Sequence, residues 1–251
     1  MNITRACRVM AVVIVLMETS PVIHEWFYPQ GPDTYEYLLP IGSFYADHSK
    51  LLPKWTQGFA TLTPAQSKPR FAEYMASVTL PEISTFTNVV KTLTPFSIVV
   101  HKTDSWLLCK REDQFDKPSV HGNMLQLPAP YKNVEWPQFF DSDQFNPLKH
   151  FLKYFGNTRI DMPPTCGTRS PIEMQPVFED VESFAWKNIQ SWDGSYPVYN
   201  VGNGDVVLVD SNFEFGVWCH ELCRDANGAV QKLGSFQQFM EFVTNETGLA
   251  R

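Results

Sequence analysis

No stretch of this chain is apolar enough for long enough to cross a bilayer. Val9–Met17, behind Arg5 and Arg8, falls well short of the roughly 20 residues a spanning helix needs. There is no G-x-x-x-x-G-K-[ST] loop and no G-x-S-x-G elbow, which leaves phosphate-cradling and α/β-hydrolase chemistry without their usual carriers. Gly202-x-Gly204 lacks the third glycine of a dinucleotide fingerprint, with Val207 in its place, and it precedes a strand where a helix should open. His220-Glu221 begins an H-E-x-x-H zinc motif, but Arg224 stands where the second histidine is required. Positive charge is also short. Lys and Arg total 20 against 27 acids, a net charge of −7, and an acidic chain lacks the basic surface that releases counterions from nucleic acid. We therefore expect no cofactor, no direct nucleic-acid binding and no membrane partner.

What is present describes a globular chain. Hydrophobic residues make up 43% and charged residues 19%, too apolar for disorder, and 251 residues suffice for one large domain or two small ones. The cysteines, Cys7, Cys109, Cys166, Cys219 and Cys223, are odd in number and irregularly spaced, which favours reduced thiols over a disulfide framework. That points to the cytoplasm. Val9–Met17 is read as a buried first strand, because Glu18-Thr19-Ser20-Pro21 follows without a small-residue cleavage site; the alternative is a signal-peptide core and export.

Along the chain, residues 20–69 mix proline, glycine and aromatics and read as irregular connections. Pro69 as an early helical position, followed by Phe71, Tyr74, Met75 and Val78 at i, i+3, i+4 and i+7, predicts a helix that Pro81 stops. Ser97–His101 and Trp106–Cys109 read as strands joined by a hairpin-sized loop. Residues 126–137 carry three prolines, and we place a domain junction there: an α+β region of unknown type over 1–135 and a second domain over 136–251. Asn146-Pro147 is a cap and first-turn pair for a helix with Leu148, Phe151, Leu152 and Phe155 on one face and Gly156 as its stop.

The C-terminal part reads as a meander of strands closed by a helix. Pro197–Val201 is extended, Gly202-Asn203-Gly204-Asp205 turns, and Val206–Val209 is a continuous apolar run of the kind buried on both faces. Phe215–Cys219 follows, Asn227-Gly228 is a hairpin dipeptide, and Ala229–Leu233 returns. Ser235 with Gln238 forms a capping-box pattern, ahead of Phe236, Phe239, Met240 and Val243 at helical spacing. In their order, Leu148–Gly156, Gly202–Asp210, Gly216-Val217-Trp218 and Ser235–Val243 resemble the SMI1/KNR4, or SUKH, family over about the last two fifths of the chain. The Asn157-Thr158 step after Gly156 is less glycine-rich than that family's loop.

The resemblance implies an α+β fold, a mainly antiparallel sheet flanked by helices, with the N-terminal region as an addition. It also implies binding rather than catalysis: bacterial members are largely immunity proteins that neutralise toxins, many of them nucleases, and fungal relatives are regulatory scaffolds. A protein partner, a basic toxin domain above all, suits the acidic balance because complementary potentials speed encounter. From turn placement and aromatic or acidic character, Trp192, Asp193, Asp205, Glu214 and Trp218 are the candidate partner-binding residues.

The competing class is a secreted or periplasmic hydrolase. Its carriers would be Asp205 and Asp210, which bracket one strand, or Cys219, His220 and Cys223 around a metal. Set against this, Asp205 and Asp210 read more simply as turn residues, and Cys219 and Cys223 as a buried strand residue and a turn residue. His24, His48, His101, His121, His150 and His220 are scattered. No catalytic residue and no metal ligand is assigned.

Overall fold

The structure is a computed structural model that describes residues 36–41, 52, 54–101, 104–112, 124–160, 166–168, 192, 194–201, 205–219 and 230–246. Its fold is α+β. Among the described residues, ten strands form one antiparallel sheet in which every strand pairs with its neighbours in this order. They are β1 (Glu36–Pro40), β2 (Thr94–His101), β3 (Asp104–Lys110), β4 (Leu125–Pro128), β5 (Arg159–Ile160), β6 (Cys166–Thr168), β7 (Tyr196–Asn200), β8 (Val206–Val209), β9 (Phe215–Trp218) and β10 (Val230–Gly234). The described α-helices are α1 (Lys54–Ala60), α2 (Pro64–Val78), α3 (Ser84–Val90), α4 (Asn146–Phe155) and α5 (Phe236–Glu246).

Alternation along the strands divides the sheet into a helix-covered face and a reverse face. Ile98, Leu107, Cys109, Leu125, Leu127, Val207, Val209 and Phe215 join the core beneath the helices. Their neighbours Val99, Trp106 and Leu108 form a separate buried cluster on the reverse face, with Phe96 against it. Both sets are buried in β8, whose four residues are all covered, as its unbroken apolar run implies.

The helices hold the sheet through aromatic edges and faces. Phe86 of α3 meets Phe151 and Phe155 of α4 edge to face at 5.4 and 5.2 Å. Phe151 meets Phe239 of α5 at 6.0 Å, and Phe239 stacks on Phe215 of β9 at 4.7 Å. Each such pair adds about 0.5–1.5 kcal/mol beyond the area it buries. This chain of rings runs from residue 86 to residue 239, so segments on both sides of residue 135 share one core and one sheet.

Local chemistry sets the ends of the elements. α2 opens earlier than the spacing alone predicts: Thr63 and Gln66 form a full capping box, Pro64 begins the helix, and Pro69 lies inside it. Ser67 Oγ donates to the Pro95 carbonyl at 2.9 Å, fastening α2 to β2. At α4 the cap falls on Phe145, one residue before the expected Asn146, whose Nδ2 instead donates to Asp143 Oδ1 at 3.2 Å. The stop differs too. Gly156 is extended (φ −59, ψ 138) and the left-handed residue is Asn157 (φ 62), a type that tolerates that region.

α5 follows its sequence pattern closely. Ser235 N–H donates to Gln238 Oε1 at 2.9 Å, and Gln238 N–H donates back to Ser235 Oγ at 3.4 Å. Just ahead, Gly234 sits at φ 109, where a side chain is strained and its Cβ would run into Gln238. A cap and a glycine at a shift in strand register thus turn β10 directly into the helix.

Some described elements depart from the sequence reading, β1 among them in the stretch read as irregular, and others lie where it named none. α1 lies in the stretch read as irregular, tied to β3 by the Thr56 Oγ1 to Ser105 Oγ contact at 3.3 Å. α3 forms from STFTNVV, whose β-branched residues disfavour a helix, because Phe86 and Val90 are buried in the shared core. β4 occupies the stretch read as a junction and pairs with both β3 and β5. Asn227-Gly228 and Gly202 to Gly204 lie outside the described residues, as does Val9–Met17. Among the described residues, no helix is long and apolar enough to cross a membrane.

Candidate functional site

The β8–β9 hairpin and the chain leading into α4 build a polar edge held by several hydrogen bonds. Asp210 organises the hairpin. Its Oδ1 accepts the N–H groups of Asn212 at 2.9 Å and Glu214 at 2.8 Å, and its Oδ2 accepts Asn212 Nδ2 at 3.2 Å. Its own N–H donates to the Glu214 carbonyl at 3.0 Å, while Phe213 N–H donates to the Asp210 carbonyl at 3.1 Å. The carboxylate is therefore used up as a turn acceptor.

Phe213 closes this loop at φ 64, a left-handed conformation that is rare for a bulky side chain. Its ring explains how the conformation is held. It stacks on Phe236 at 5.6 Å with 19° between planes, and meets Phe145 and Phe215 at 5.1 and 5.3 Å. Strain of this kind is kept only where surrounding contacts over-determine it. The hairpin tip is thus clamped to the start of α5 and to the chain just before α4.

That neighbouring chain runs through two 3-10 turns, Gln138–Phe140 and Asp143–Phe145. Gln144 Nε2 donates to the Ser211 carbonyl at 3.0 Å and joins them to the hairpin. Asp141 and Asp143 are exposed in this segment, and Glu214 is half-buried on the hairpin to which the segment is joined. Glu214 pairs with Lys232 of β10 at 2.8 Å, both side chains being largely solvated, and Lys149 Nζ donates to the Phe140 carbonyl at 3.0 Å. Counted together, Asp141, Asp143, Asp210 and Glu214 on the two joined segments outnumber Lys149 and Lys232, which leaves them acidic on balance. Chemically the edge offers carboxylate oxygens and one partly exposed ring.

The sequence-derived candidates fall in different places. Glu214 belongs to this edge. Asp205 is half-buried at the far end of β8, where its carbonyl accepts Val201 N–H at 2.9 Å. Trp192 is half-buried over β9: a Cβ on Gly216 would come within 2.7 Å of its ring, so only glycine leaves room for the indole there. Trp218 is corrected by the structure. It is only 3% exposed on the reverse face of β9, opposite Val206 and Val230, and a covered indole cannot anchor a partner. Asp193 lies outside the described residues, as do His220, Glu221 and Cys223.

The acid pair fares poorly as a catalyst. Asp205 and Asp210 stand at opposite ends of β8, about 16 Å apart along an extended strand, beyond the separation glycoside hydrolysis uses. Cys219 is half-buried with Sγ 4.0 Å from the Val217 carbonyl, and Cys109 is fully buried, which pushes its thiol pKa well up. Among the described residues no three His, Cys, Asp or Glu side chains converge in a way that could hold a metal.

Sequence reasoning missed Asp141, Asp143, Gln144, Phe213 and Lys232. The D-S-D-Q-F-N-P run ahead of a helix was the available signal for the first three. Nothing in the sequence marks Phe213, since its conformation is imposed by rings distant in the chain. Comparison with family models, with curated proteins and with solved structures gives no match to this chain.

Proposed function

We propose that this chain is a non-enzymatic protein-binding module whose acidic hairpin edge receives a basic partner. The resemblance to the SMI1/KNR4 family supports the finer reading, an immunity protein that neutralises a nuclease-type toxin by direct contact. One observation carries it: Asp141 and Asp143 are exposed in the segment that the Gln144 to Ser211 hydrogen bond joins to the hairpin of Glu214, and that hairpin is fixed by the Asp210 turn and the Phe213 ring clamp. A surface ordered before binding spends little entropy when it docks. The regulatory-scaffold variant of the reading would use the same edge.

The acidic net charge supports steering of a cationic partner over the last distances of approach. The test is kinetic. With the partner immobilised, the association rate should fall steadily from low to physiological salt, while a rate indifferent to salt defeats the electrostatic reading. A cytoplasmic setting belongs to the same proposal and is consistent with the free thiol of Cys109. Mass analysis of the mature chain from its native source tests it: removal of the first residues at an export site would overturn it.

A further inference from the structure

The far end of α4 carries a second surface of opposite sign. The ten-residue helix spans about 15 Å and starts beside the acidic edge. It ends at Lys153 and Tyr154, which line an open groove of about 520 Å³ together with Lys54 and Trp55 of α1 and Tyr131 and Lys132 of the loop after β4. Tyr131 N–H donates to the Lys153 carbonyl at 2.9 Å, locking the loop against the helix end. Lys68 and Lys232 have carboxylates within 2.9 Å, but among the described residues none of the three groove lysines has one. Three ammonium groups without a carboxylate partner among the described residues thus line one groove in a chain whose net charge is −7.

Structural roles account for only part of this. Lys153 suits the last turn of α4, where a cation complements the helix dipole, and its Nζ lies 5.6 Å from the Tyr154 ring centroid. Lys54 is the first residue of α1, where a positive charge has the wrong sign for the dipole. Trp55 adds a buried Nε1 with no hydrogen-bond partner among the described residues, a donor that packing leaves unexplained.

From this arrangement we propose that the groove binds an acidic peptide segment, its carboxylates distributed over Lys54, Lys132 and Lys153. The aromatic rings favour a peptide over a nucleotide. Trp55 is packed on Tyr74 at 4.7 Å and Tyr154 on His150 at 4.7 Å, so these faces serve the fold and are poor platforms for a base. The ammonium groups come from three separate elements, as an extended chain with spaced charges requires and a single phosphate does not. The site is distinct from the hairpin edge, so either proposal can fail alone.

The experiment is fluorescence anisotropy of a labelled glutamate-rich peptide titrated with the intact protein at low salt. Binding should weaken by roughly tenfold or more when exposed Lys54 and Lys132 are both replaced, Lys54→Glu with Lys132→Glu, with an unchanged thermal midpoint showing that the variant is folded. The hairpin-edge variant Asp143→Asn with Glu214→Gln should bind the peptide as the wild type does. Absence of wild-type binding, equal binding by the lysine variant, or binding of adenosine monophosphate or a short oligonucleotide in place of the peptide would each overturn the proposal.

Discussion

Phe213 allows the hairpin geometry to be tested by an inversion of the usual order of substitutions. Its ring touches three others and is half-buried, so truncation to alanine should lose about 2 kcal/mol, roughly half of what a fully buried phenylalanine gives up. Alanine at φ 64 still carries the left-handed penalty of about 1–2 kcal/mol, whereas glycine does not. Glycine adds unfolded-state entropy that costs about 0.4–1 kcal/mol. The difference leaves Phe213→Gly more stable than Phe213→Ala by up to about 1.6 kcal/mol, although glycine removes more of the side chain. Urea unfolding followed by tryptophan emission measures both variants. If Phe213→Gly proves the less stable, the left-handed conformation does not hold in solution and the account of the hairpin clamp fails.

Other expectations rest on equally local observations. Gly216→Ala would set a Cβ 2.6 Å from Val230 Cγ1 and 2.7 Å from the Trp192 ring, so it should destabilise by about 1–3 kcal/mol and shift tryptophan emission; a neutral substitution would mean that Trp192 does not lie over β9. Asp210→Ala leaves two backbone N–H groups without their acceptor and should cost about 1 kcal/mol, with faster amide exchange at Asn212 and Glu214, while Asp210→Asn should cost less; equal effects of the two would contradict the acceptor role. Burial raises the Cys109 thiol above its ordinary 9.0, and burial followed by the nearby Tyr154 raises the Tyr74 phenol above its ordinary 10.0. The unfolded chain then releases these protons first, so stability should be full below about pH 9 and fall as pH climbs beyond it; Tyr74→Phe should flatten the fall above pH 10, and an unchanged slope would deny Tyr74 its share.

How far the molecule could be read from its residues differs by element. α4 and α5 were legible because each sets four apolar residues at helical spacing, which the fold buries, and in α5 the Ser235 to Gln238 capping pattern marks the start as well. β8 was legible as an unbroken apolar run. β4 was not: LQLP is short, ends in proline, and buries Gln126 at 3% exposure, so neither alternation nor composition announces a strand. α3 hid for the opposite reason, since its threonines and valines suggest a strand and only contact with Phe151 and Phe155 makes it a helix.

The candidate site shows the same limit. Glu214 could be chosen as an acid beside a turn, but Asp141 and Asp143 lie some seventy residues earlier in the chain, in a segment joined to the hairpin by the Gln144 to Ser211 hydrogen bond, a tertiary contact. Trp218 failed as a candidate because alternation along β9 was readable while the covering of its reverse face was not. The acidic balance, by contrast, was visible in the composition, and the edge at the hairpin gives it a location.

The most direct test of the binding account is a paired affinity capture from the native lysate. The wild-type protein is compared with a variant carrying Asp141→Asn, Asp143→Asn and Glu214→Gln, and retained proteins are identified by mass spectrometry. The account predicts one basic protein, near stoichiometric on the wild type and largely lost from the variant. Equal retention of that protein by both would show that the acidic edge is not the contact surface, and turnover of a model substrate without any retained protein would contradict the binding function itself.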